Sequence, residues 1–446
     1  MLYSGLTEFD THLTPLPALA ESIETRDRIN WEIRLRSGVE FHDGSSLTAD
    51  DVVFSLLRHK DPAVASKVAS VADQFAEARA EGPLRVKVRL SGANADLPSI
   101  LATSHFLIIK AGTTDFRTAV GCGPYRLQTF SPGVRTVVVR NPNYWKPGRP
   151  YLDAIELIGI PDEVSRVNAL LSGDVQLINA VNPISTSRIE ATGRHALLQT
   201  PSSSYTDLIT RLDDYPTGRP EFVLAMKHLL DRDLIRKALF RNYATIGNDQ
   251  PIAPGQRYYF EGLPQRTYDP EKARFLLKRA GLLDVRLPIY ASPAAEGSVD
   301  MASLLQDSAA QIGLRLAVNR MPSDGYWSTH WMKHPITFGN TNTRPTADLI
   351  FSLFFKSDAV ANESGWKDPR FDQLLIAARG EGDDAKRRQM YADMQTLVHN
   401  GSGVGIPVFI TNLDGFDARL KGLQAVPTGG LMGYTFADHV WLEDAA

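Results

Sequence analysis

At 446 residues, 43% hydrophobic and 22% charged with a formal net charge of −3, the chain exceeds what one hydrophobic core organises, so at least two domains are expected. The charge balance leaves no basic excess for nucleic acid, and no apolar run approaches the roughly 20 residues a membrane-spanning helix needs. Cys122 is the only cysteine, which excludes an internal disulfide and any multi-cysteine metal site; it reads as a small buried residue.

Residues 1 to 10 lack a basic n-region and an apolar h-region, so no signal peptide is expected in this numbering. Trp31, Ile33 and Leu35 alternate with Glu32, Arg34 and Arg36 as in a half-buried strand, and Asp43-Gly44 supplies a turn. Thr48 opens a helix with Asp51 at capping-box spacing and Val52, Val53, Leu56 and Leu57 as its apolar face. Strands are expected over Arg85 to Leu90 and Val134 to Arg140. A helix from Asp162 stops at Gly173, and Val175 to Ile178 returns as a strand.

Beyond the polar stretch Pro201 to Ser204, helices are expected over Phe222 to Phe240 and over Glu271 to Ala280, the latter begun by Asp269-Pro270 and stopped by Gly281. Strand Leu287 to Tyr290, helix Val299 to Ile312 and strand Arg315 to Asn319 follow in the order of an α/β lobe. Helix Asp384 to Val398, strand Pro407 to Ile410 and the segment Leu423 to Leu442 close the chain.

No Gly-rich phosphate loop, zincin motif, nucleophile elbow or paired-cysteine spacing occurs, so no cofactor, no metal site and no catalytic residue is expected. His42 reads as structural, and the adjacent acids Asp50 and Asp51 suit a helix start. Tyr258, Tyr259, Tyr326, Trp327, Trp331, Tyr144 and Trp145 either stack on a ligand or pack between elements.

Several segments resemble the large peptide, nickel and opine solute-binding proteins of ABC importers, extracytoplasmic solute-binding protein family 5. They are Leu19 to Ser22 with Trp31 to Gly44, then Leu47 to Ser55, Gly121-Cys122-Gly123-Pro124-Tyr125, Asn141-Pro142-Asn143-Tyr144-Trp145, part of Phe222 to Leu239, and Tyr268 to Ala273. Cys122 stands where that family usually has threonine, and Ala225 to His228 departs from its arginine pattern. The family's N-terminal strand with an L-D-P turn has no counterpart before Leu2.

The resemblance implies an α/β, two-lobed periplasmic-binding-protein fold, type II of the large peptide-binding class, with a hinge and an extra subdomain in lobe one. Lobe one is expected over 1–208, its extra subdomain over about 1–145, lobe two over 209–411, and the return to lobe one over 412–446. It implies a non-enzymatic, monomeric, periplasmic component of an ABC importer. The expected ligand is a small peptide-like or carboxylate-bearing solute captured by lobe closure, and the expected partners are permease subunits. An opine or metal-chelate binder, or a ligand-presenting receptor for a membrane sensor, are the alternatives.

In dipeptide binders of the family an acidic residue of lobe two receives the ligand's amino group, and Asn342 stands about there. Arg344, whose planar guanidinium suits a carboxylate, is then either a ligand contact or an ion-pair partner of Asp348 or Glu363, with Asp348 otherwise a helix cap. Asn340 shares this segment. Asn362 to Trp366 resembles the family's cleft-bordering loop, which makes Asn362 and Trp366 candidate contacts. Tyr205 and Thr206, with Ser203 and Ser204, are placed to face the ligand from the hinge, and Tyr326 and Trp327 complete the set.

Overall fold

The computed structural model describes residues 1–443. The chain forms two compact units, one of Met1–Thr200 together with the segment from Leu413 on, the other of Pro201–Asn412. The second unit thus begins earlier than the 209 expected from sequence. Strand Tyr205–Thr210 is buried at every position and lies at the centre of that unit's sheet, between Ile336–Thr341 and Val404–Gly405.

In the first unit, strands Ala20–Thr25, Asn30–Leu35, Arg85–Leu90 and Phe75–Ala80 form an antiparallel sheet in that spatial order. Trp31, Ile33 and Leu35 are buried, while Glu32 and Arg34 between them are not, so the alternation in sequence is the inside and outside of one pleated strand. Helix Ala49–Leu57 follows, with Asp51 accepting the Thr48 N–H at 2.8 Å and the Ala111 N–H at 2.8 Å. A second antiparallel sheet holds Tyr125–Ser131, Arg135–Arg140 and Ala154–Ile158. Helix Glu163–Ser172 is capped by the Asp162 carboxylate, and Gly173 ends it at φ 89°, a left-handed turn that a side chain would strain. The returning strand Asn412–Asp417 lies between Leu177–Ile178 and His195–Thr200.

The second unit packs helices on both faces of its sheet. Parallel strands Arg286–Ala291 and Arg315–Arg320 are joined by helix Ser298–Ala310, and Ala244–Ile246 pairs with Val408–Ile410. Leu208, Ile336 and Phe338 point into one core with Phe222, Met226, Leu277 and Leu305. Tyr205 points into the other, against helices Ala347–Phe354, Pro369–Gly380 and Asp384–Gly401.

The single helix expected over Phe222 to Phe240 is two, Pro220–Leu229 and Arg232–Ala238. Leu230 turns extended at ψ 101°, and the Asp231 carboxylate accepts the Leu234 N–H at 2.9 Å, which starts a new helix where the apolar periodicity runs on unbroken. Among the described residues no helix is long and apolar enough to cross a membrane.

Candidate functional site

Cys122 is buried, and burial pushes its thiol up to about 12, so it offers no nucleophile at neutral pH. His42 is spent on structure: its Nε2 lies 3.1 Å from the Gly123 carbonyl oxygen, and its Nδ1 accepts the Gly121 N–H at 3.3 Å. Candidate chemistry is concentrated in the second unit, at the carboxyl ends of its strands.

Strand Tyr205–Thr210 runs antiparallel to Ile336–Thr341, pairing Tyr205 with Thr341, Thr206 with Asn340 and Asp207 with Gly339. Thr206 Oγ1 donates to the Glu296 carbonyl oxygen at 2.7 Å and accepts from Asn340 Nδ2 at 3.0 Å. The second is a cross-strand bond within the sheet, and the first brings the loop after Ala291 to the edge of the sheet where strand Ile336–Thr341 ends. Open α/β sheets bind ligands there, because loop backbone and helix N-termini converge around it.

The loop after Thr341 is fastened to the start of the central strand. Thr343 N–H donates to Ser204 Oγ at 3.0 Å, Ser203 N–H donates to Thr343 Oγ1 at 3.2 Å, and Ser202 Oγ donates to the Ile410 carbonyl. Ser203 and Ser204 therefore hold this loop in place. Asn342 is exposed at its crest. The Arg344 guanidinium curls back on the loop, donating from Nη1 to the carbonyls of Asn342 at 3.0 Å and Thr343 at 3.2 Å, and lies 5.6 Å from the Phe354 ring centroid. Burial lowers its pKa from the ordinary arginine value, opposed by Tyr205.

Neither ion-pair partner that the sequence offers Arg344 takes it. Asp348 Oδ1 accepts from Arg379 Nε at 2.6 Å, and Glu363 Oε1 accepts from Trp331 Nε1 at 2.8 Å. Among the described residues no carboxylate lies within ion-pair distance of Arg344, which leaves a half-buried cation without a counter-charge at the carboxyl edge. Asp348 is also not the helix cap; Thr346 is, accepting the Leu349 N–H at 3.2 Å.

The other candidate residues divide sharply. Thr206 and Asn340 form the bridge described above, and Trp327 is 42% exposed, edge-on to Tyr326. Tyr205 and Tyr326 are fully buried. The Tyr326 hydroxyl donates to the Phe338 carbonyl at 2.8 Å, and the Tyr205 ring packs against Phe409. Asn362 Nδ2 donates to the Lys356 and Trp366 carbonyls, closing a turn, and Trp366 is packed against Phe371 in the interior. All four are buried beneath the edge; Tyr326, Asn362 and Trp366 have their polar atoms or ring faces engaged by the interior, while the Tyr205 hydroxyl has no hydrogen-bond partner.

Two buried clusters of titratable groups were not read from the sequence, in which only Glu363 stood out, as a partner for Arg344. Asp207 and Glu363 are almost fully buried, and their carboxyls face each other across Gly339, where an added Cβ would collide with Glu363 Oε1 and lie 2.7 Å from Asp207 Oδ1. Burial, and then the facing Glu363, pushes Asp207 well above the usual carboxylate range. Burial also raises Glu363, opposed by Asp207 and the Trp331 N–H. Asp207 is thus the neutral member of the pair. The second group centres on Asp249, held by Arg232 and Arg266. For Asp207 the sequence signal was weak, an acid inside a strand that is otherwise apolar or hydroxylic with Gly339 directly opposite it; Asp249 lies in a loop after strand Ala244–Ile246 and carries no such signal.

Comparison with known proteins settles the family. The model of bacterial extracellular solute-binding proteins, family 5, matches residues 14–362. The chain belongs to that family. It is 26% identical to the dipeptide-binding protein of Escherichia coli K12, over 96% of this chain and 87% of that one. Among solved structures it resembles NikZ of Campylobacter jejuni in complex with Ni(L-His), with a TM-score of 0.87 at 20% identity, covering 98% of this chain and 93% of that one. It also resembles AgaA of A. tumefaciens R10 in complex with agropinic acid, with a TM-score of 0.86 at 22% identity, covering 100% and 93%. The two-lobed α/β fold of the large peptide-binding class follows from these matches, and the family description makes the chain a solute-binding protein.

Proposed function

We propose that this family 5 protein is the periplasmic capture component of an ABC importer, acting as a monomer that hands its solute to permease subunits, and that the solute is a small molecule bearing a carboxylate. The observation that carries this is Arg344, a half-buried guanidinium at the carboxyl edge of the second unit's sheet with no protein carboxylate to answer it. A desolvated cation without a counter-charge is costly, and a ligand carboxylate that accepts hydrogen bonds from the guanidinium through both oxygens relieves that cost. The ligands named for its relatives, a dipeptide, a histidine chelate and an opine acid, share a carboxylate. Asn342 and Asn340 supply neutral polar groups beside it, and Trp327 an exposed aromatic face. No bond chemistry is assigned to the edge; its polar groups bind and orient.

A thermal-shift panel tests this reading. Ligand present at about 100 times its Kd adds ~2.7 kcal/mol to the folded state, which for a unit of this size raises the melting temperature by roughly 5–10 °C. Carboxylates drawn from dipeptides, opines and histidine chelates are expected to contain a class giving such a saturable shift, and the matching primary amides to give none. Equal shifts from acids and amides, or no shift from any acid, would reject the carboxylate reading.

A further inference from the structure

Between strands Arg315–Arg320 and Ile336–Thr341 the chain makes a single helical turn, Tyr326–Thr329, and returns through Trp331, Met332 and Lys333. The Trp331 N–H donates to the Tyr326 carbonyl at 3.0 Å, and the Lys333 N–H to the His330 carbonyl at 3.1 Å. Met332 sits at φ 60°, a left-handed conformation that strains a side chain and persists only where the surroundings impose it. The segment is pinned to the interior at Tyr326, whose hydroxyl donates to the Phe338 carbonyl, and at Trp331, whose indole N–H donates to Glu363. Its return is tied by two imidazoles.

His330 Nδ1 and His334 Nε2 lie 3.1 Å apart. The ring centres are 5.4 Å apart, further than the nitrogens by the combined radii of the two rings, so each nitrogen points straight at the other. Tyr290 stacks on His334 with 3.7 Å between ring centres and 8° between planes, which fixes that imidazole's plane, and Tyr326 lies beside His330 with centres 6.2 Å apart. A divalent ion bound to two imidazoles at about 2.0–2.1 Å needs lone pairs that converge at an angle, or nitrogens about 4 Å apart if they face head-on. Neither condition holds. The pair is arranged for one shared hydrogen, an N–H facing an N.

Such a bond has a defined limit. With both rings neutral, one nitrogen donates and the other accepts; one added proton leaves an imidazolium donating to a neutral partner, which is a stronger bond. A second proton sets N–H against N–H and charge against charge. Among the described residues neither imidazole has another hydrogen bond or ion pair. The titratable groups stacked on them, Tyr290 and Tyr326, are phenols, and Lys333, exposed between them in the chain, adds positive charge, so no carboxylate compensates the second proton. Burial, and then the charge of His330, holds His334 below the usual histidine range.

We propose that His330 and His334 are a proton-operated latch on the segment from Tyr326 to His334, closed while at most one imidazole is charged and sprung when both are. Because folding lowers the His334 pKa, the penalty for charging this ring in the closed segment is absent well above the unfolded histidine value of about 6.5 and grows as pH falls through and below it. The latch is therefore closed at pH 7.5 and opens on the acid side. Trp331 keeps its acceptor through this change, since a protonated Glu363 still offers a carboxyl oxygen. Opening loosens the footing of Trp327, which rests edge-on against Tyr326 and Trp331 with ring centres 5.2 and 5.9 Å away, and so disturbs the exposed aromatic face at the edge. That consequence rests on the solute reading above, whereas the latch itself does not.

The test is hydrogen exchange of the full chain without solute, read by mass spectrometry on peptides covering 326–335 at pH 7.5 and pH 5.5 and corrected for the intrinsic rate at each. The wild type is expected to lose at least tenfold protection in this segment at pH 5.5, while strand Tyr205–Thr210 keeps its protection. His330→Asn, whose amide donates from the same side but takes no proton, and His334→Phe, which keeps the stack on Tyr290, are each expected to change less than twofold between the two values. Equal protection of the wild type at both values, or a folded variant of either kind that still loses tenfold, overturns the latch. Loss spread equally over strand Tyr205–Thr210 overturns it too, because the whole unit rather than this pair would then be responding to acid. With no solute present, none of these results bears on the Arg344 anchor.

Discussion

Asp249→Asn is expected to lower the melting temperature of the second unit by roughly 10 °C or more, read by calorimetry at pH 7. Asp249 is completely buried, and Arg232 Nη2 approaches its two oxygens at 2.7 and 2.8 Å. The Arg266 guanidinium bonds one of these oxygens, and the Ile406 N–H donates to the other at 3.0 Å. Burial by itself would raise the carboxyl's pKa; the charges of Arg232, Arg266 and Lys227 outweigh it and hold Asp249 ionised far into the acid range. Removing one partner of a buried pair strands the others, a loss of about 3–5 kcal/mol, and for a unit of this size each kcal/mol moves the melting point by about 2–4 °C.

The same network makes that loss depend on pH. Lys227 donates to the carbonyls of Ser402 at 2.7 Å and His399 at 3.1 Å, and burial pushes its amine down to about 7 against the pull of Asp249. Because folding lowers this pKa, the cost of burying the charged amine grows as pH falls from the unfolded value and is complete below about 7. Asp249 offsets that cost only when the amine is charged. The deficit of Asp249→Asn should therefore be larger at pH 6 than at pH 9. A variant that melts within 2 °C of the wild type at both values would show that the two arginines do not depend on Asp249.

The second large effect has the opposite sign. Asp207→Asn is expected to stabilise the second unit at pH 8, by about 1–3 kcal/mol on the scale of an imperfectly compensated buried polar group, and to flatten its stability between pH 5 and pH 8. Both members of the Asp207–Glu363 pair have their pKa values raised on folding. Their contribution is thus fully present below the unfolded carboxylate values near pH 4 and is lost as pH rises through the folded values. Asparagine keeps the shape and offers an N–H toward Glu363, which retains the Trp331 donor, while removing the possibility of a second buried charge. Melting curves across that range decide it: a wild type as stable at pH 8 as at pH 5, or a destabilised Asp207→Asn, would contradict the shared site.

What sequence made legible was whatever is local. Asp162 and Gly173 bracket their helix because a cap and a left-handed stop act within one turn, and the Trp31 to Leu35 alternation records one pleated strand. The break at Leu230 was missed because the apolar spacing continues across it and only Asp231 hinted at a new cap. The site was legible in part. Arg344 stood out by its residue type and its place in a family-like segment, but whether Asp348 or Glu363 answers it depends on Arg379 and Trp331, which come from elsewhere in the fold. Tyr205, Tyr326, Asn362 and Trp366 are candidate ligand contacts in sequence and lie buried in the structure, a difference in exposure that nothing local in the sequence distinguishes.

The most direct test of the account is titration calorimetry of the wild type and Arg344→Ala with one carboxylate ligand taken from the thermal-shift panel. Loss of a charge-assisted pair worth about 1.5–3 kcal/mol predicts affinity weaker by roughly tenfold to a hundredfold, with the melting temperature of the free variant within a few degrees of the wild type. Unchanged affinity in a folded Arg344→Ala would contradict the claim that this guanidinium anchors the solute.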